Sequence, residues 1–295
     1  MKTETLPDWH AFESIISEIR QETEVLRRER ALFVSDPLFR GQRNSEWHLE
    51  TTLEREREGM SLSEYLGSLC QVHARVGLSA PARWRDLREE IDELSRRGLE
   101  SIMLFPTVKS HTTSILSFMA YLRHHGFPSP LLDWSRSPYV AAFFAFEWAD
   151  PHAKEVGIYV FREYTGATGD ARDTHEPRAF GIGSELLGTS NRHVRQQSEY
   201  SLCVKKISSS PNLSSYIFAS HEDSVNIPGF IIDGDRQLDV TDAENAVAKY
   251  TLPVGERNTA LACLARMGIT RQGLFDESVE SLLEDLWHEA IVANR

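Results

Sequence analysis

The richest apolar stretch of the chain, residues 138–148, opens on Pro138 and runs through Val140, Ala141, Ala142, Phe143, Phe144, Ala145 and Phe146. A helix that is apolar on every side has no face to offer water and must lie inside the protein. The rest of the chain therefore has to be arranged around it. Proline is pre-shaped for a first helical turn, and either Ser135 or Ser137 can cap that turn. Immediately upstream, Leu131 and Leu132 read as the start of a short buried strand.

What must surround this helix is visible as periodicity. Trp9, Phe12, Ile15, Ile16 and Ile19 recur at helical spacing and lead into the charged run 20–30, a solvated helix end. Strands are expected at 38–42 and near 47–49. A helical pair follows at 62–77 and 84–99, then a helix at 113–124 that Gly126 and Pro128 stop. Further strands are expected at 158–161, 200–204, 216–218, 230–232 and 248–254. The stretch holding Gly166, Gly169, Gly181, Gly183 and Gly188 reads as one long irregular loop, and helices at 256–267 and 276–292 end the chain. Strands and helices without regular βαβ alternation indicate an α+β domain with helical insertions.

A chain of 295 residues, 41% hydrophobic and 26% charged, is long enough for one elaborated domain or two smaller ones. It has no apolar run approaching the ~20 residues of a membrane-spanning helix, and its N-terminus lacks a signal peptide's apolar stretch. No membrane association is expected and the cytoplasm fits best. Acidic residues outnumber basic ones 44 to 32, a net charge of −12, so any nucleic-acid contact must be local. The three cysteines, Cys70, Cys203 and Cys263, are widely spaced and suggest neither a disulfide framework nor a structural zinc site.

The common nucleotide and hydrolase signatures GxxxxGK[ST], HExxH and GxSxG are absent, and no GxGxxG sits between a strand and a helix. Gly181-Ile182-Gly183-Ser184 could cradle a phosphate with its amides, but a lone GxG is more often plain flexibility. His124 and His125 adjoin at a helix end. Neighbouring imidazoles on a helix diverge by about 100°, so helix capping or ligand contact is expected of them, and no metal site.

Three segments are dense in chemistry. In Leu38-Phe39-Arg40-Gly41-Gln42 an arginine ends an apolar strand, suited to a phosphate or carboxylate, and glycine permits a close approach of backbone to whatever the guanidinium holds. An internal carboxylate is the plainer partner for that arginine. In Arg123-His124-His125-Gly126-Phe127-Pro128-Ser129-Pro130-Leu131-Leu132-Asp133-Trp134-Ser135-Arg136-Ser137-Pro138-Tyr139-Val140-Ala141-Ala142-Phe143-Phe144-Ala145, polar, aromatic and turn-forming residues crowd between a helix end and the buried helix. Arg195-Gln196-Gln197-Ser198-Glu199-Tyr200-Ser201 brings two amides and a carboxylate to the mouth of a strand, or is simply a polar turn.

In this order the three segments resemble the FRG domain, with its aromatic-Arg-Gly motif and a second motif close to QHHGxPTRLLDWTxSPxxAxxFA. Lys249 to Val254, Met267-Gly268-Ile269 and Leu274-Phe275 resemble that family's ending. Arg123 stands where the family has glutamine, Ser129-Pro130 where it has Thr-Arg, and Ser198 where glycine is common. The first and third motifs are also similar to those of Arg-Ser-Glu ADP-ribosyltransferases, and Asp133-Trp134-Ser135 to their Ser-Thr-Ser segment.

The resemblance implies a split antiparallel sheet core of the ADP-ribosyltransferase type with helical insertions and a C-terminal helical segment. It would occupy residues 35–295, after an N-terminal amphipathic helix in 1–34 and with an insertion at about 60–110. NAD would be a co-substrate, without a metal. Arg40, with Gly41 and Gln42, would anchor its diphosphate, and His124, His125 and Asp133 would contact the cofactor. Trp134 or Tyr139 would pack on the nicotinamide. Ser135 would hold the ribose or support the third motif, where Glu199, Gln196 and Gln197 would act on the ribose and the acceptor. The target would be a protein or nucleic acid, and a toxin or phage-defence role with a neutralising antitoxin is in keeping with such chemistry. The alternatives are a non-catalytic nucleotide-binding module and a scaffold whose C-terminal helix exposes Leu283 and Trp287.

Overall fold

The computed structural model describes residues 1–29, 33–76, 84, 87–97, 113–165, 176–183, 191–210, 212–226, 230–233, 236–239 and 244–275. The expected helix at 276–292, with Leu283 and Trp287, lies outside the described residues, as do Gly166, Gly169, Ser184 and Gly188.

Pro138–Glu147 form the helix their composition demands, with Trp148 as its C-cap. Ser137, in an extended conformation, accepts the Val140 N–H at 3.3 Å on its Oγ and Pro138 occupies the first turn, so Ser137 and not Ser135 is the cap. Ser137→Ala should lower stability by about 1 kcal/mol, read as a shift in the denaturation midpoint. Around this helix stands an eight-stranded sheet. In chain order its strands are β1 (Lys2–Thr5), β2 (Leu38–Gln42), β3 (Leu131–Ser135), β4 (Glu155–Phe161), β5 (Arg178–Ile182), β6 (Ser198–Lys206), β7 (Tyr216–Phe218) and β8 (Val247–Pro253). Their spatial order is β1-β8-β4-β2-β3-β6-β5, with β7 also paired to β6; β1 and β8 are parallel and every other pair is antiparallel.

The sheet is nearly two sheets. β2 follows β4 through five residue pairs and β3 follows β6 through five, but β2 and β3 meet only at Phe39 and Ser135. Past that pair the two halves separate.

Among the described residues the α-helices are α1 (Trp9–Glu29), α2 (Thr52–Glu56), α3 (Leu62–Val76), α4 (Leu87–Arg97), α5 (Thr113–His124), α6 (Pro138–Glu147), α7 (Asn191–Gln196), α8 (Arg257–Arg266) and α9 (Arg271–Phe275). α1, α6 and α8 pack on one face of the first half-sheet, joining Trp9, Phe12, Ile16, Phe39, Ile158, Val160 and Leu252 in one core. Residues 1–34 thus supply both an edge strand and a helix of that core. α3, α4 and α5 cover the second half-sheet through Tyr65, Leu69, Phe118, Leu131, Tyr200 and Leu202. A third cluster, with Leu38, Leu49, Leu132, Trp134, Tyr159 and Phe161, lies on the opposite face and spans both halves.

Two expectations need correction. Residues 47–49 are not a strand: the Leu49 N–H is taken by Glu222 Oε1 at 2.8 Å, a side chain from far along the chain rather than a ladder partner. Nor is the glycine-rich stretch all loop, because it contains β5. There the Gly181 N–H donates to Glu163 Oε2 at 2.8 Å, so that amide is committed to the fold and does not wait for a phosphate.

Candidate functional site

Where β2 and β3 part, the edges of two half-sheets face one another across a cleft of about 620 Å³. Local signals bring side chains to it from several directions. The capping box of α2, in which Thr51 Oγ1 accepts the Glu54 N–H and Glu54 Oε2 accepts the Thr51 N–H, fixes the turn that carries Thr52 and Arg55. α5 ends at Gly126, whose φ of 79° allows the Phe127 N–H to reach the Leu122 carbonyl and the Gly126 N–H that of Arg123. This stop presents Arg123 and His124 at the cleft.

At the centre is Arg40. Its Nη1 donates to the Asp133 carbonyl at 2.8 Å, bridging the split, and lies 3.8 Å from Asp133 Oδ2. Among the described residues its Nε and Nη2 make no hydrogen bond, so most of this fork remains for a ligand. Burial pushes its pKa down; Asp133 opposes this, while Arg123 and Arg55 add to it. The Asp133 carboxyl is held by Arg123, whose Nε donates to Oδ1 at 2.9 Å and whose Nη2 contacts Oδ2. Burial raises the Asp133 pKa, but the charges of Arg123 and Arg40 prevail and keep it below the usual carboxylate range.

The lining includes the guanidinium groups of Arg40, Arg43, Arg55 and Arg123 against the carboxylates of Asp133 and Glu50. In a chain of net charge −12 this is a local positive site, matched to a compact anion such as a diphosphate. Trp47, Phe144 and Trp148 add aromatic surface, with Arg43 stacked 5.4 Å from the Trp47 ring centroid. The chain ending also reaches this wall: Phe275 packs on Phe144 and Trp148, and Gln196 Nε2 donates to the Leu274 carbonyl.

Of the residues singled out in the sequence, Arg40, Gly41, Gln42, His124, Asp133, Trp134, Ser135 and Gln196 line the cleft. Several do so in a different capacity. Gly41 is required by a helix and not by a ligand, because a Cβ there would stand 1.8 Å from the Ala141 carbonyl oxygen of α6. Ser135 Oγ donates to the Gln196 carbonyl at 2.7 Å and accepts the Ser137 N–H, so it braces the third motif. The Trp134 indole is buried against Phe161 and donates to Ser201 Oγ.

The others are not among the lining residues. Tyr139 packs on Trp9 and Phe12 in the core, and His125 lies on Tyr121. Gln197, at φ 48°, is the exposed corner between α7 and β6. Glu199 is buried beside Arg136, 3.5 Å away, while its strand neighbours Ser198 and Tyr200 alternate to the cleft side.

Sequence reasoning missed Arg55, which sits in a charged run that reads as surface, and the wall of Trp47, Phe144 and Trp148. It also missed His193, three residues before the first glutamine, and gave no role to Tyr200, although that tyrosine stands in the third segment.

Comparison with curated proteins and comparison with solved structures each found no match. Residues 35–154 match the family model of the FRG domain, and they contain β2, β3, α6, Arg40 and Asp133 and hence the split itself.

Proposed function

We propose that the cleft binds NAD and that the protein transfers the ADP-ribosyl group to a macromolecular target, protein or nucleic acid. The observation that carries this reading is Arg40, a guanidinium with unspent donors in the gap between two half-sheets of a mostly antiparallel sheet. A fork of that kind holds a diphosphate through charge-assisted hydrogen bonds. The order of the three motifs, similar to that of Arg-Ser-Glu transferases, supports the chemistry. Gln196 fills the third position in this reading, since it lines the cleft and Glu199 does not. With the diphosphate fixed, departure of nicotinamide leaves an oxocarbenium-like ribose, which orientation and nearby dipoles must stabilise.

The placement of Glu199 favours one other reading, a module that binds a nucleotide without consuming it. One pair of measurements separates them. Titration with NAD should raise the melting temperature of the wild type. Arg40→Ala should weaken NAD binding by roughly 10- to 100-fold, the worth of one or two charge-assisted hydrogen bonds. Release of nicotinamide together with labelling of a cell extract from radiolabelled NAD supports the transferase; saturable binding with NAD left intact supports the module.

A further inference from the structure

Three side chains from three separate elements meet at one wall of the cleft. His124 closes α5, His193 belongs to α7 and Tyr200 to β6. His124 Nε2 and His193 Nε2 are 3.0 Å apart, His193 Nε2 and Tyr200 Oη 2.7 Å, and Tyr200 Oη and His124 Nε2 3.3 Å. All three line the cleft, while Tyr200 is only 2% exposed.

A nitrogen–nitrogen contact of this length needs one N–H and one lone pair, so one imidazole donates and the other accepts. Adding one proton to the pair gives an imidazolium hydrogen-bonded to a neutral imidazole; adding two would set like charges face to face. The pair is thus built to take up a single proton. Among the described charged groups, Asp133 acts on His124 and favours the gained charge, as does the negative end of α5, whereas the like charges of Arg123 and Arg40 in the same lining oppose it. Of the other bases that line the cleft, Asp133 is engaged by Arg123 and His48 Nδ1 lies 3.3 Å from Glu222 Oε2, which leaves Glu50 as a competing base; Glu199 lies outside the lining.

We propose that the His124–His193 pair, with Tyr200 completing the hydrogen-bond triangle, is the proton acceptor that activates the attacking hydroxyl. The proposal rests on the transferase reading. As the acceptor oxygen forms its bond to ribose C1′, the bond from C1′ to nicotinamide breaks and its electron pair returns to the ring nitrogen. The acceptor's proton passes to the imidazole pair. The positive charge lost by the pyridinium reappears on the pair, so the step balances without a further reactant.

The test uses the full chain and measures nicotinamide release and NAD affinity as functions of pH. His193→Gln should lower kcat on the order of 100-fold, the scale of general-base catalysis, and leave NAD affinity nearly unchanged. It should also abolish the rise of kcat with pH that a base neutral in its active form produces. His124→Gln, at an exposed site, repeats the test should the first variant melt early, and Tyr200→Phe should reduce kcat less. Variants that keep both the rate and the wild-type pH profile overturn the proposal and leave the transferase reading standing. A wild type that binds NAD and never releases nicotinamide overturns both. Activity restored by zinc after chelation in the wild type, and not in His193→Gln, also overturns it by making the pair metal ligands.

Discussion

Gly41→Ala should leave little folded protein at 37 °C. The added methyl would stand 1.8 Å from the Ala141 carbonyl oxygen and 2.7 Å from the Ala145 amide nitrogen, both backbone atoms of α6 that no rotamer change can move aside. Relief requires α6 to lift from β2, opening the core that Phe39, Val140, Phe143 and Phe146 share. Overpacking ordinarily costs about 1–3 kcal/mol; here the rigid partner puts the loss at roughly 3 kcal/mol or more, a large part of the 5–15 kcal/mol typical of a domain. Urea denaturation monitored by tryptophan fluorescence measures it directly. Near wild-type stability would mean that α6 does not lie on Gly41.

Acid should unfold the protein through His221. This side chain is fully buried, with Nε2 2.8 Å from Ser201 Oγ and, among the described residues, no partner for Nδ1. Burial, and secondarily the charge of Arg40, pushes its pKa down from 6.5 to about 3. Between those values the unfolded chain binds a proton that the native chain refuses, so stability falls as pH falls through this window and is insensitive to His221 above it. The full effect is on the order of 5 kcal/mol. Asp133, held below the usual carboxylate range, loses its contribution in the same direction at still lower pH.

His221→Gln separates the two, because it removes this titration and leaves Asp133 in place. The plot of unfolding free energy against pH should flatten above pH 4 in the variant, whatever its absolute stability. An unchanged slope would show that His221 is protonated in the native protein.

Much of the scaffold could be read before any coordinates. The bounds expected for α5 and β2 coincide with those found, because each is set by residues close in sequence: Gly126 supplies a left-handed stop, and apolar Leu38 and Phe39 precede Arg40 and Gly41. Ser137 and Pro138 start α6 for equally local reasons. Errors fell where the partner is remote. Residues 47–49 have strand-like composition, but Glu222 satisfies the Leu49 amide; β5 hides among glycines because its pairing to β6 is visible only in three dimensions.

The site divides along the same line. From residue order alone came an arginine of β2, the Asp133 segment and the glutamine of the third motif as chemistry-bearing groups, and all three line one cleft. Tertiary structure alone decided which neighbours share that cleft. The register of β3 on β6 sets Tyr200 opposite Asp133 and Glu199 opposite Trp134; since alternate residues of a strand face opposite ways, one position separates a residue that lines the cleft from one that does not. The same holds for Gly41, whose need for a bare backbone comes from α6, about a hundred residues later in the chain. Local sequence determines which elements form and where they stop, because turns and caps act over three or four residues. Which side chains converge follows from strand register and helix packing, which join residues too distant in the chain for any local pattern to connect.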